Sequence, residues 1–297
     1  MREAEIIVLA GQSNAVGVGH ARFLEHHFSE EQIKTYYTGY STVKINYFSH
    51  DKKSGGFVDT TVGCTEMQNE TVGPELGIAQ WLSENTRDKN YFIVKCAFGG
   101  TSLYHDWLSP SGGAAYGEDT CADTNRGVGW CYNELIRIVQ DSITTLEGNG
   151  FVPRIKAFCW MQGESDAFLM KTVEQYGRLY DALLDDFGKV FCAYLDDTSV
   201  YVDGGISETW PFYQEMNKVK LEYATIHKNC YYIDTIGAGL TVLNEPDEQP
   251  DIYHYDSDSI IKLGWLFAQA IMNPHHVEEK KMILGTSSSD RCGLVSD

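Results

Sequence analysis

The sequence predicts an α/β fold in which helices cover both faces of a largely parallel sheet. Short apolar runs rich in β-branched residues alternate with longer helical patterns, as in repeated strand–helix units. The apolar runs are continuous, so we expect strands that are buried on both faces. The 297-residue chain shows no internal repeat and no Pro/Ser-rich linker. We therefore expect one domain over residues 1–286 and a polar tail over 287–297.

Five apolar runs are the predicted strands, and a sixth is a further strand or half of a hairpin. The five cover residues 6–10, 92–97, 155–160, 190–195 and 231–234, and the sixth covers 43–48. The predicted helices cover residues 74–85, 130–146, 172–187, 209–227 and 259–272. Pro74 suits the first turn of a helix, where its missing N–H costs nothing. Residues 101–129 form a long Gly-rich loop, and loops of that length often line a binding site.

The charge of the chain narrows the classes of partner. A net charge of −19 with a pI near 4.8 disfavours nucleic acid and anionic membrane surfaces, because both require a positive field. Neutral small molecules and sugars remain suitable partners. The sequence contains no apolar run long enough to predict a membrane span. No signal peptide is recognisable, which predicts a cytoplasmic protein if the chain is full length and an exported one if a leader was removed.

The cysteines and histidines predict neither a metal site nor a redox pair. No two of the eight cysteines have CxxC spacing. Three lie in strand-like runs and predict buried free thiols: Cys96, Cys159 and Cys192. Three lie in loop-like sequence and can form disulfides in an exported protein: Cys64, Cys121 and Cys131. The paired histidines at 26–27 and 275–276 lack a third ligand at suitable spacing.

Four polar clusters follow predicted strands or precede the last predicted helix. They are Gly11-Gln12-Ser13-Asn14, Phe98-Gly99-Gly100-Thr101-Ser102, Met161-Gln162-Gly163-Glu164-Ser165-Asp166 and Asp251-Ile252-Tyr253-His254. Ligands of open α/β sheets bind beyond the carboxyl ends of the strands, so we expect all four clusters at one sheet edge. Together they supply a hydroxyl, flexible backbone, an amide and a carboxylate–imidazole pair. This set suits acyl transfer through a serine nucleophile.

The nucleophile and its base are the first requirement of that chemistry. A serine hydroxyl attacks only when a base within hydrogen-bond reach takes its proton, and His254 is the candidate base for Ser13. Asp251, three residues earlier, can accept a hydrogen bond from the other ring nitrogen and fix the tautomer. His20 is an alternative base. Each motif alone also fits an ordinary turn or a surface loop, and it is their joint occurrence that favours catalysis.

The second requirement is a set of donors aimed at the oxyanion of the tetrahedral intermediate. The candidates are the N–H of Ser13, an N–H of Gly99 or Gly100, and the side-chain amide of Gln162. Gln12 and Glu164 are further candidates for this pocket. The alternative for Gln162 and Glu164 is a structural polar network.

The motifs AGQSNAVG, FGGTSL, VGPELGIA, WMQGESDA and DIYH resemble, in this order, those of the SGNH hydrolase superfamily. The closest resemblance is to the sialate O-acetylesterase and carbohydrate esterase family 6 branch, which includes acetylxylan esterase-like enzymes. It covers roughly residues 5 to 272. The resemblance implies a flavodoxin-like three-layer α/β/α sandwich with a mostly parallel five-stranded core sheet. It also implies a serine esterase without a cofactor.

Carried over by position, the resemblance makes Ser13 the nucleophile, His254 the base and Asp251 its orienting partner. Gln162 takes the oxyanion role, a glycine of Gly99-Gly100 supplies a backbone donor, and Glu164 and Asp166 support the site. The sequence thus predicts a carbohydrate O-acetylesterase that acts on an acetylated glycan or sialic acid. The alternatives are a lipase or thioesterase on the same scaffold, and an inactive carbohydrate-binding relative. The sequence leaves the oligomeric state open.

Overall fold

A computed structural model describes residues 2–65, 70–86, 89–113, 127–246 and 251–273. The strands of these residues are β1 Arg2–Gly11, β2 Gly19–His20, β3 Tyr40–Ser49, β4 Lys52–Lys53, β5 Val58–Thr60, β6 Thr71–Val72, β7 Tyr91–Ala97, β8 Phe151–Met161, β9 Val200–Gly204 and β10 Cys230–Ile233. The α-helices are α1 Ser13–Val16, α2 Glu30–Thr38, α3 Pro74–Asn85, α4 Trp130–Gly148, α5 Met170–Val190, α6 Tyr213–Ile226 and α7 Ser257–Met272.

The central sheet has the order β10-β9-β8-β1-β7-β3-β4, and β5 also pairs with β3. Within the described residues, the six strands from β10 to β3 are parallel, and β4 and β5 run antiparallel to β3. The expected mostly parallel sheet is therefore confirmed, with six parallel strands in place of five. The sixth is β3, which contains the run 43–48 and lies beside β7.

Helices cover the two faces of the sheet, as neighbouring side chains of β8 show. The indole of Trp160 donates a hydrogen bond of 3.0 Å to the hydroxyl of Tyr176 on α5. The next residue, Met161, places its Sδ with the ring of Phe267 on α7 around Gly204. Successive strand residues point to opposite faces. Helices α4 and α5 therefore lie on one face and α3 and α7 on the other, which confirms the three-layer α/β/α class.

The prediction of a strand at residues 190–195 is wrong. Helix α5 continues to Val190, and a turn follows it. Within this run, Phe191 is buried and packs on Phe187 of α5, with ring centroids 4.7 Å apart. The strand beside β8 is instead β9, a five-residue segment. The other predicted strands and helices are present, with ends that match or are shifted by up to four residues.

Helices α3 and α7 cross in close contact at two glycines, Gly77 and Gly264. A Cβ at Gly77 would lie 1.9 Å from the carbonyl oxygen of Ile261, and one at Gly264 would lie 2.0 Å from that of Pro74. Neither distance is possible for a real side chain, so the backbones meet only because both residues are glycine. This contact explains why a glycine, Gly77, lies in the first turns of α3.

The parallel register brings the predicted polar clusters to one edge. Gly11, the last residue of β1, pairs with Ala97 at the end of β7 and with Met161 at the end of β8. The segments that follow these three strands therefore leave the sheet side by side. The shared edge expected from the sequence is confirmed for the clusters after β1, β7 and β8.

The thiols differ in their environments. Cys96 and Cys159 are buried free cysteines, and burial raises the pKa of each thiol above its usual value. Cys192 is exposed, contrary to expectation, because its segment is the turn after α5 and not a strand. Cys64 is a buried thiol, and Cys121 lies outside the described residues.

No helix in the described part of the chain is both long and apolar enough to cross a membrane. The predicted tail at 287–297 and residues 114–126 of the predicted loop lie outside the described residues.

Candidate active site

Ser13 lies directly beyond the end of β1, at the first position of the short helix α1. Gly11 makes this turn possible, because its φ is 143° and a Cβ there would lie 1.9 Å from the carbonyl oxygen of Met161. Ser13 is 8% exposed, so only a small part of it reaches solvent. As the first helical residue, Ser13 has a backbone N–H with no acceptor within α1.

Gln12 ties this turn to the segment after β8. Its side-chain oxygen accepts hydrogen bonds from Gln162 Nε2 at 3.1 Å, from the N–H of Ser165 at 3.1 Å and from the N–H of Gly163 at 3.4 Å. Its amide nitrogen donates to Ser165 Oγ at 3.3 Å. The buried amide thereby fixes two loops that are about 150 residues apart in sequence. Gln12 acts as a link within the site and does not face its opening.

Asn14 ties the turn to the segment that carries His254. Its Oδ1 accepts a hydrogen bond of 3.0 Å from the N–H of Tyr255, and its Nδ2 lies 3.5 Å from the carbonyl oxygen of Tyr253. The same Nδ2 donates to Glu164 Oε1 at 2.9 Å. One buried amide therefore holds the backbone on both sides of His254 beside the helix that begins with Ser13.

Asp251 and His254 form a hydrogen-bonded pair. His254 Nδ1 lies 2.5 Å from Asp251 Oδ2, and the side chains are 26% and 48% exposed, respectively. The hydrogen bond from His254 holds the pKa of Asp251 below its usual value, so the carboxyl is ionised at neutral pH. In the described part of the chain, Asp251 is the hydrogen-bond partner of this imidazole and Ser13 Oγ is not. The alternative base, His20, lines a cavity of about 40 Å³ together with Asp251 and His254.

The turn after β7 contains the two predicted glycine donors. The N–H of Gly99 donates to His50 Nε2 at 3.2 Å, while Gly100 has the left-handed φ of 69°. A Cβ at Gly99 would lie 2.8 Å from His50 Nε2 and 3.6 Å from the Cβ of Ser13. The turn therefore lies directly beside Ser13. Of the two N–H groups, that of Gly99 already has an acceptor.

His50 is a site residue that the sequence reasoning missed. It follows β3 at the same sheet edge and has a φ of 50°, which is unusual for a residue with a side chain. The rule that located the other clusters, namely polar residues after a parallel strand, also applies to the run 43–48. Applied there, it would have pointed to this histidine.

The amide of Gln162 is enclosed. Its Nε2 lies 2.6 Å from Asp166 Oδ2, 3.1 Å from Gln12 Oε1 and 3.1 Å from the carbonyl oxygen of Thr101, and the side chain is fully buried. Its Oε1 accepts from the hydroxyl of Tyr176 at 2.9 Å. An amide has two N–H groups, so an oxyanion would have to displace one of these three acceptors.

Two buried carboxyls lie around this amide. Asp166 accepts from the N–H groups of Leu103 at 2.8 Å and Tyr104 at 3.2 Å, and burial raises its pKa to about 6. Glu164 is fully buried against Asn14, and burial raises its pKa above the usual value. Both carboxyls connect loops and are buried.

Two fully buried lysines lie behind the site. Lys95 on β7 donates to the carbonyl oxygen of Val16, the last residue of α1, at 2.6 Å, and pairs with Glu75 of α3 at 2.7 Å. Lys220 on α6 donates to the carbonyl oxygen of Gln162 at 2.5 Å and pairs with Asp203 of β9 at 2.6 Å. Each ammonium therefore anchors one of the segments that form the site.

The described residues contain no group of three or more His, Cys, Asp or Glu side chains positioned to hold a metal ion. The site as described consists of a hydroxyl, an imidazole–carboxylate pair and backbone N–H groups. That combination can perform nucleophilic acyl transfer.

Residues 3–273 match the family model described as carbohydrate esterase, sialic acid-specific acetylesterase. Three solved structures share the fold at low identity. A protein of Arabidopsis thaliana has a TM-score of 0.64 and 19% identity, with 92% of this chain and 98% of that chain covered. NanS has a TM-score of 0.61 and 19% identity, with the same two coverages.

The third is described as a novel carbohydrate acetylesterase from Xanthomonas citri. It has a TM-score of 0.57 and 14% identity, and the match covers 93% of this chain and 57% of that chain. A search of curated proteins gives no match.

Proposed function

Since the chain belongs to the carbohydrate esterase, sialic acid-specific acetylesterase family, we propose that it removes O-acetyl groups from carbohydrates through a Ser13–His254–Asp251 triad. Membership of this family makes the chain a carboxylic ester hydrolase that acts on carbohydrates. The proposal adds the identity of the acyl group, the residues and the acyl-enzyme. It needs no cofactor.

The observation that carries the triad is the double contact of Asn14. Its neighbour in the chain is Ser13, and its amide holds the backbone on both sides of His254. The proposed nucleophile and base are therefore positioned by one side chain. The 2.5 Å contact of Asp251 with the ring leaves Nε2 as the nitrogen that takes the proton of Ser13.

In the proposed reaction, Ser13 Oγ attacks the carbonyl carbon of the acetyl ester while His254 Nε2 accepts its proton. Asp251 stabilises the imidazolium that forms. The tetrahedral intermediate collapses, and His254 protonates the departing sugar hydroxyl. A water molecule then attacks the acetyl-serine with the same base, and acetate leaves.

The oxyanion receives hydrogen bonds from the backbone N–H groups of Ser13 and Gly100. Ser13 N–H is free of intrahelical bonding at the start of α1, and the neighbouring Gly99 N–H is engaged by His50. Gln162 contributes a third donor only if its amide gives up a protein acceptor. Its more direct contribution is to hold the segments after β1, β7 and β8 together.

The test is Ser13→Ala. The substitution removes the proposed nucleophile but no side-chain hydrogen bond within the described residues. We therefore expect hydrolysis of an acetylated xylo-oligosaccharide, measured as released acetate, to fall at least about 1,000-fold. Labelling by a fluorophosphonate probe disappears with it. Ser83→Ala on α3, whose hydroxyl contacts Thr42, is the matched control and keeps both signals. Acetate release that persists in Ser13→Ala contradicts the mechanism.

A series of acyl chain lengths tests the acyl group. If the enzyme is an O-acetylesterase, kcat/KM falls steadily from acetyl to butyryl to octanoyl esters of one alcohol. A preference for the octanoyl ester indicates a lipase or thioesterase. A chain that binds the glycan but neither releases acetate nor reacts with the probe is an inactive carbohydrate-binding relative.

A further inference from the structure

Three aromatic side chains form a cluster beside His254, which we call the aromatic platform: Phe168, Trp210 and Tyr253. Trp210 is 7% exposed and lies at its centre, with ring centroids 5.1 Å from Phe168 and 5.2 Å from Tyr253. Phe168 and Tyr253 are 39% and 45% exposed. The platform therefore presents two partly exposed rings on a buried third.

The platform belongs to the loops that build the active site. Tyr253 directly precedes His254, its N–H donates to Asp251 Oδ1 at 2.9 Å, and its carbonyl oxygen faces Asn14. Phe168 comes two residues after Asp166. The segment of Trp210 joins the same loop, because the N–H of Phe212 donates to the carbonyl oxygen of Ala167 at 3.0 Å. The rings are thus fixed relative to the proposed base.

Exposed aromatic rings on the loops of a candidate active site need a physical reason. Large apolar side chains that stay exposed in a group are typical of ligand-binding surfaces. At the rim of an active site, such side chains contact the bound substrate. Tyr and Trp combine a wide apolar face with few rotatable bonds, so they bind a flat partner at low entropic cost. A pyranose ring is such a partner, since its faces carry C–H groups while its hydroxyls remain in water.

The surrounding charge indicates which sugars fit. Asp251 and the exposed Glu208 flank the platform in sequence, and the whole chain carries a net charge of −19. A field of this sign disfavours the approach of an anionic sugar such as a sialic acid and leaves neutral sugars unaffected.

Resting on the proposed esterase function, we propose that the aromatic platform stacks a neutral pyranose ring of the substrate beside the acetyl ester that Ser13 attacks. The platform then determines which alcohol is held and leaves the bond-making steps to the triad. A substrate without a sugar ring gains nothing from it.

The experiment compares kcat/KM for an acetylated xylo-oligosaccharide, an O-acetylated sialic acid and ethyl acetate. In Tyr253→Ala and in Phe168→Ala, the ratio of kcat/KM for the oligosaccharide to that for ethyl acetate falls about 10-fold, mainly through a higher KM. Tyr253→Phe keeps the ratio, because stacking does not use the hydroxyl. Tyr37→Ala removes a ring of similar exposure, 48%, on α2 and leaves all rates as they are.

Ratios that stay unchanged in both alanine variants overturn the platform while the esterase function stands. Higher kcat/KM for the sialic acid than for the oligosaccharide overturns its assignment to neutral sugars. A native chain that hydrolyses none of the three esters overturns the esterase function and the platform with it. Circular dichroism identifies a variant that fails to fold, and the other alanine variant then decides.

Discussion

Asn14 has an uncommon position among the site residues, because it contacts no proposed reacting atom and yet touches both sides of His254. Its side chain accepts from Tyr255 N–H and donates to Glu164. From its place in the sequence alone it could equally be a residue of the turn. Its role depends on contacts with residues up to 241 positions away.

We expect Asn14→Ala to lower kcat about 100-fold with a small change in KM, since a shift of about 1 Å between nucleophile and base has that effect. The pH–rate profiles of Asn14→Ala and of the native chain distinguish a displaced His254 from a general loosening of the fold. The acid limb of kcat moves if His254 is released from its place, whereas a purely structural effect leaves the profile unchanged. Equal kcat in the variant and the native chain would remove Asn14 from the positioning of the triad.

His50 provides a second test at the residue scale. Its ring accepts the Gly99 N–H and so fixes the turn that presents Gly100. We expect His50→Ala to lower kcat about 10-fold by loosening Gly100, the proposed oxyanion donor. His227→Ala, which removes a histidine stacked on Tyr223 far from Ser13, serves as the control and leaves kcat unchanged. A loss in the control as large as that in His50→Ala would contradict the assignment.

The close crossing of α3 and α7 has a direct consequence for stability. Gly264→Ala places a methyl group against the carbonyl of Pro74, and the helices must separate to accommodate it. We expect the free energy of unfolding to fall by about 2 kcal/mol, as in other overpacked contacts, measured by urea denaturation.

Gly188 on α5 supplies the matched control. A Cβ there meets nothing within 4 Å, and the residue is helical. Gly188→Ala should therefore raise the free energy of unfolding by about 0.5–1 kcal/mol, because alanine favours the helix. If both substitutions change stability in the same direction, the crossing does not depend on its glycines.

At the scale of elements, hydrophobic pattern alone could locate most strands and helices, and its failures have physical causes. The run 190–195 has strand-like composition, but the ring of Phe191 is buried against Phe187 of α5. Helix α2 was not predicted, although its capping box between Ser29 and Gln32 is a recognisable start signal. Strand β9 was not predicted, because its last two residues, Asp203 and Gly204, interrupt the apolar run that begins at Val200.

The stability of the whole molecule should depend on the ionisation of Asp166. Burial raises its pKa to about 6, whereas in an unfolded chain it is near 3.9. Between these values the folded protein holds a proton that the unfolded chain releases, so the free energy of unfolding falls as pH rises. The fall is complete above about pH 6.

Comparison with Asp166→Asn, which does not titrate, isolates this contribution. The native chain's free energy of unfolding minus that of the variant should be about 2 kcal/mol greater at pH 4 than at pH 7. Urea denaturation at a series of pH values measures it. A difference that grows with pH would mean that the three N–H donors around the carboxyl outweigh its burial.

The residues of the candidate site were predictable from the sequence, but the hydrogen bonds between them were not. Motif order and the shared edge of parallel strands sufficed to collect Ser13, Gly99, Gly100 and Gln162. The sequence could not show that the Gln162 amide faces three protein acceptors, because those acceptors come from three separate segments. Contacts between distant segments are fixed by packing, which local pattern does not encode.

The position of β1 in the sheet has a consequence for folding during synthesis of the protein. Residues 6–10 are wholly buried, yet their two neighbouring strands end only at residues 97 and 161. A growing chain on the ribosome therefore carries this apolar segment with both edges unpaired until about residue 97 is translated, and with one edge unpaired until about residue 161. We expect this strand to need a chaperone during synthesis, because unpaired apolar strand edges promote aggregation.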